Sequence, residues 1–108
     1  MRENVTEQWL GKKIKAMGGL WLKFTSPGHA GVPDRIIILD GVTVYVELKT
    51  ARGALSEIQK AMFYQMNKHG VSIHVIYGHD GAEKFLMDIK TPAGLVLGQM
   101  PEDVYEWR

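Results

Sequence analysis

The sequence contains no cysteine, which excludes disulfides, thiolate zinc sites and a thiol nucleophile, and suits a reducing compartment. Long apolar runs are also missing. No stretch approaches the roughly 20 apolar residues of a helical membrane span, and the opening residues MRENVTEQ carry charges where a secretory leader would be apolar. A soluble, cytoplasmic protein with no membrane association is expected. There are no repeats, low-complexity tracts or linker-like stretches, so the 108 residues read as one domain spanning 1–108. A chain of this length can bury about two-thirds of its unfolded surface in a single core.

Charge is scarce in sum but uneven in place. The net charge is +1, yet residues 1–69 hold ten Lys/Arg against six Asp/Glu, a net of +4, and residues 70–108 hold three against six, a net of −3. A basic region of this kind attracts phosphates and makes their binding salt-sensitive.

The periodicity predicts an order helix, three strands, helix, strand, helix. Asn4 to Met17 reads as the first helix, with Asn4 as N-cap, Glu7 completing a capping box, and Val5, Trp9, Leu10, Ile14 and Met17 as the apolar stripe. Leu20 to Thr25 reads as a strand, followed by a glycine-bearing loop from Ser26 to Val32. Ser56-Glu-Ile-Gln59 opens a second helix with a capping box, an apolar repeat at Ile58, Met62 and Met66, and Gly70 as its stop. Val71 to Tyr77 is a strand, expected parallel to the one before the helix. A turn at Gly78–Gly81 then leads into a helix over Ala82 to Lys90.

The most informative segment lies between these helices. Arg35 to Leu39 and Val42 to Lys49 are β-branched runs separated by Asp40-Gly41, the strongest short hairpin signal. A two-residue turn sets Leu39 opposite Val42, Ile36 opposite Tyr45 and Asp34 opposite Glu47, and the alternation of side chains adds Lys49 to the same face. Two carboxylates about 5 Å apart repel by roughly 3 kcal/mol at an effective dielectric of about 20, a cost that a bound cation would reverse. Two carboxylates and a backbone carbonyl suit the protein share of a Mg²⁺ octahedron, and a lysine beside them can orient a water or balance charge on phosphorus. The same face carries Ile36, Ile38 and Tyr45, so it does not read as a solvated ion-pair surface.

Three ordered motifs on this frame resemble the VRR-NUC branch of the PD-(D/E)XK nuclease superfamily. Gly31-Val-Pro-Asp-Arg35 is similar to its GvPD segment, Val46-Glu-Leu-Lys49 to its second motif, and Ser56-Glu-Ile-Gln59 to its S-x-x-Q segment. The resemblance implies a minimal restriction-endonuclease-like α/β core, a mixed central sheet flanked by helices in the order α-β-β-β-α-β-α. It implies a nuclease that hydrolyses DNA by water attack, typical of phages and bacteria, with flaps or branched junctions as substrates. Asp34 and Glu47 would bind Mg²⁺ or Mn²⁺ with the Leu48 carbonyl, and Lys49 would assist the water.

Glu7 keeps two readings, a first-helix acid touching the metal or a plain capping glutamate. Gln59 likewise points to the site or caps its own helix. Lys23, Arg35, Arg52 and Lys60 are candidates for phosphate contact, and His29 for metal or phosphate from its loop. His69 suits a helix C-terminus, and His74 and His79 have no visible chemical partner. The apolar stretch 93–108 reads as an oligomerisation tail of a homodimer. The alternatives are a dimeric Holliday-junction resolvase and a DNA-binding module without catalysis.

Overall fold

The computed structural model describes residues 3–90 and 98–105. Four strands, β1 (Leu20–Lys23), β2 (Arg35–Leu39), β3 (Val42–Lys49) and β4 (Ile73–Tyr77), form one sheet in the order β1-β2-β3-β4. The first two pairings are antiparallel and β3–β4 is parallel. Among the described residues, four helices accompany them: α1 (Glu3–Ala16), α2 (Glu57–Lys68), α3 (Gly78–Asp88) and the short α4 (Glu102–Tyr105). The mixed sheet, the helices on its faces and the parallel β3–α2–β4 connection are those expected from the sequence.

The hairpin follows from two residues. Asp40 and Gly41 both adopt positive φ, 52° and 78°, the combination of a type I′ turn whose twist matches that of the flanking strands. Leu39 consequently pairs with Val42 and Ile36 with Tyr45. Side-chain alternation then divides the sheet into two apolar layers. Ile37, Leu39, Val44, Val46 and Leu48 pack with Leu10 and Ile14 of α1 and with Phe85 and Ile89 at the end of α3. Tyr45, Ile73 and Val75 point the other way and pack with Phe63 of α2 and Val104 of α4. Among the described residues, that second layer covers only β3 and β4. On the uncovered half, Leu20 and Leu22 are 54% and 41% exposed.

Several element readings shift. Asn4 lies inside α1 rather than capping it, and Val5 and Met17 of the expected stripe are exposed. The strand expected over Leu20–Thr25 ends at Lys23, although the Phe24 amide donates to the Asp34 carbonyl at 2.8 Å and so extends the ladder one step. Helix α3 starts at Gly78, four residues early, because Gly78 (φ 66°) turns the chain directly out of the strand. In α2 the buried residue is Phe63, and Ile58 is 60% exposed. Its inward stripe therefore starts at Gln59, four residues before Phe63, so a polar side chain takes a place that the apolar pattern gives to a neighbour.

Of the expected tail, Val104 is fully buried in the second layer and Met100 packs against it. Leu95, Val96, Leu97 and Trp107 lie outside the described residues. No helix among the described residues is long and apolar enough to cross a membrane.

Gly31 ties the loop before β2 to the start of α2. It has φ 87°, and an added Cβ would stand 2.7 Å from the Ile58 carbonyl oxygen. Gly31→Ala should lower stability by about 1–3 kcal/mol through strain and overlap together. Urea unfolding measures this, and an unchanged midpoint would show that the loop does not need the glycine.

Candidate active site

Asp34 immediately precedes β2 and Glu47 sits on β3. The observed register, Arg35 with Val46 and Ile36 with Tyr45, carries one step further to set Asp34 against Glu47, as the hairpin count expects. The Leu48 amide favours the charged form of Asp34, and the Asp34 amide that of Glu47, so each acid is eased by the backbone of the partner strand.

Glu47 is almost fully buried, 3% exposed, and its two oxygens differ. Oε2 accepts a hydrogen bond from Gln59 Nε2 at 3.0 Å and lies 3.6 Å from Lys49 Nζ. Oε1 is buried with no hydrogen-bond partner among the described residues. A buried carboxylate oxygen left bare is costly unless a cation meets it. Burial, and then the neighbouring Asp34 charge, push the Glu47 carboxyl up to about 7, against the opposing pull of Lys49 and Gln59. Asp34 is also raised, first by burial and then by the charge of Glu7, while the Leu48 amide and Lys49 act the other way. Both acids resist ionisation here, and a divalent cation is the species that would reverse this.

Gln59 caps its own helix and also reaches Glu47. Its Oε1 accepts from the Ser56 amide at 3.0 Å and its own amide donates to Ser56 Oγ at 3.1 Å, closing the capping box of α2. Its Nε2 is the donor that holds Glu47 Oε2. A glutamate could cap equally well but would bring a third carboxylate instead of a donor.

Glu7 is not a capping glutamate. Its carboxylate accepts from Arg35 Nε at 3.3 Å, and Arg35 in turn lies over the Trp21 ring at 5.2 Å. Glu7 is near enough to Asp34 for its charge to be felt there. Even so, no group of three or more His, Cys, Asp or Glu side chains among the described residues could hold a metal ion. Two carboxylates, those of Asp34 and Glu47, are what the structure brings together here.

The other candidates are scattered. Lys23 lies directly across from Arg35 on β1, and Arg52 is exposed in the turn after β3. Lys60 instead binds Asp103 at 2.7 Å and Glu57 at 3.6 Å, fastening α4 to α2. The exposed His29 ring meets Ser26 Oγ of its own loop at 3.3 Å. His69 is the C-cap of α2. His74 is buried against Phe85, and His79, which looked partnerless in the sequence, stacks on Trp9 and pairs with Glu83. Missed by the sequence were Lys12, Lys15 and Trp21, which line a cleft with Glu7 and Arg35. The only signal for them is the i, i+3 spacing of the two lysines on α1.

No family model matches the chain. It is 39% identical over 70 residues, 64% of this chain and 69% of the relative, to "Putative nuclease p44" of Acyrthosiphon pisum secondary endosymbiont phage 1. A solved structure described as a VRR_NUC domain superposes with a TM-score of 0.74 at 25% identity, covering 79% of this chain and 94% of that one. Hjc of Archaeoglobus fulgidus, a Holliday junction resolvase, shares the fold with a TM-score of 0.51 at 15% identity, over 69% of this chain and 67% of its own.

A carboxyl raised in the fold binds its proton more tightly there than in the unfolded chain. Glu47 therefore contributes most at low pH, and the metal-free protein loses that contribution as pH rises from about 4.5 through about 7. Glu47→Gln should be more stable than the parent at pH 8 by about 1–3 kcal/mol and no more stable near pH 4. Gln59→Glu should lose stability over the same rise. Thermal unfolding in chelator across this range is the measurement, and parallel pH curves for all three proteins would refute the assignment.

Proposed function

The chain belongs to the VRR-NUC family of PD-(D/E)XK nucleases, and on that premise we propose that it is a Mg²⁺- or Mn²⁺-dependent nuclease hydrolysing DNA phosphodiester bonds, selective for flaps or branched junctions. The observation that carries this reading is the bare, buried Oε1 of Glu47 beside a second acid and a lysine. Asp34, Glu47 and the Leu48 carbonyl would hold the ion. When bound, it would offset the two carboxylate charges, withdraw charge from the phosphate and lower the pKa of a water.

The side chains have separable tasks. Gln59 pins one oxygen of Glu47, so the other keeps its aim. Lys49, 3.6 Å from Glu47, is placed to orient the attacking water and to balance charge gathering on the phosphate oxygens. No side chain is required to bond covalently to the substrate. Arg35 and Lys23, on the α1 face of the sheet one residue on from Asp34, form a positive corner for the DNA backbone. Arg52, exposed beyond Lys49, would meet it from the other side, and His29 could contact it only if its loop leaned toward the site. Lys60 is left out of this role because Asp103 already takes its charge.

A second reading, a Holliday-junction resolvase acting as a homodimer, draws on the uncovered half of the sheet. Leu20 and Leu22 stand exposed there, with Ile36 and Ile38 beside them on the same face as the acid pair. An apolar strip in such a place suits a second copy of the chain, and would bring two active sites near one junction. A DNA-binding module without catalysis has no observation in its favour, since the acid pair costs stability with no return.

Labelled flap, four-way junction and plain duplex DNA should be cut in Mg²⁺ or Mn²⁺ and left intact in chelator. Asp34→Asn and Lys49→Ala should each cut at least about 100-fold more slowly; undiminished cutting by either variant would overturn the mechanism. Sedimentation should give a dimer that Leu22→Arg converts to monomer. A monomer at high concentration for the parent chain would remove the homodimer, and with it the paired-cut reading.

A further inference from the structure

A cleft of about 330 Å³ lies between α1 and the β1–β2 edge, lined by Glu7, Gln8, Gly11, Lys12, Lys15, Trp21 and Arg35. One end is the catalytic end, because Arg35, which directly follows Asp34 in the chain, lines the cleft and holds Glu7 there at 3.3 Å. The other end is basic. Lys12 and Lys15 stand about 8 and 12 Å along the helix from Glu7, at 1.5 Å per residue.

The wall between is built rather than incidental. Gly11 leaves room for the Trp21 indole, since an added Cβ would stand 2.7 Å from its nitrogen. The indole in turn carries the Arg35 guanidinium on its ring. Arg35 uses its Nε on Glu7, and its terminal nitrogens have no hydrogen-bond partner among the described residues. Lys23 stands directly across the strand pair from Arg35, an arrangement of like charges that costs stability when nothing lies between them. Among the described residues, Lys12, Lys15 and Lys23 have no carboxylate partner. A lysine in the last turn of a helix also answers the helix dipole, which accounts for Lys15 but not for Lys12 or Lys23. Lys12, Lys15 and Arg35 line the cleft with a single carboxylate, and Lys23 stands beside Arg35, so the deficit is of negative charge.

We infer that this cleft is a phosphate track that grips the DNA strand as it leads away from the scissile phosphate, with Lys12, Lys15 and Arg35 on successive backbone phosphates and Trp21 holding Arg35 in place. The inference rests on the nuclease reading above for its substrate, but its direction is set by the cleft. The substrate runs along α1, past Glu7, and away from the α2 side of the sheet. A strand held there would be positioned by its backbone and not by its base sequence.

The test is fluorescence anisotropy of a labelled duplex oligonucleotide in chelator, where nothing is cut, over a series of salt concentrations. Lys12→Ala with Lys15→Ala should weaken binding about 10-fold and flatten the salt slope by about 1–2 units, one for each phosphate that a lysine no longer neutralises. Lys13→Ala with Lys90→Ala removes the same charge from the opposite side of α1, where both line a different cleft, and should leave the slope unchanged. With metal, the first pair should raise KM while kcat stays within about threefold. An unchanged slope in the first pair, or an equal loss in both pairs, would overturn the track. Absence of cutting by the parent chain would instead sink the nuclease reading while leaving the binding comparison intact.

Discussion

A buried glutamate beside a second acid is the constraint on which this structure turns. Glu47 is enclosed on a central strand, with Asp34 across from it, and neither can ionise freely. A fold seeking only stability would put an apolar residue there, as it does at Val46 and Leu48 on the other face. The surroundings do not relieve the strain but direct it. One oxygen is anchored by an amide and an ammonium, and the other is kept clear.

The rest of the architecture can be read as what it takes to hold that oxygen. The type I′ turn sets the register, and the register sets the acids opposite each other. The parallel β3–β4 pairing requires a crossover, and that crossover is α2, which carries Gln59 over the face where Glu47 points. Gly31 lets the loop bearing Pro33 and Asp34 lie directly against the first turn of α2. Three separate chain segments therefore meet at one carboxylate. The hydrophobic layers on either side fix the distances among them.

Much of this was legible because it depends on short-range rules. Asp40-Gly41 and strict alternation were enough to place Asp34, Glu47 and Lys49, and Ser56 with Gln59 was enough to start α2. What was not legible depends on tertiary company. Ile58 looked like core by its spacing, but the inward place belongs to Gln59, so the apolar repeat was out of phase where a polar group is needed. Glu7 had the spacing of a cap until Arg35 took its carboxylate, and Lys60 had the look of a phosphate contact until Asp103 took its charge. The cleft along α1 needs Trp21 from a strand and Lys12 from a helix, and no local pattern joins them.

The capping box of α2 has a kinetic meaning as well as a structural one. First turns of helices open more readily than the cores they sit on, and here the opening turn holds the hydrogen bond to Glu47. Each time that turn frays, the carboxylate loses its tether while the sheet stays whole. On the proposed mechanism, a local opening much smaller than unfolding would free this carboxylate, and activity would fade on warming ahead of the fold.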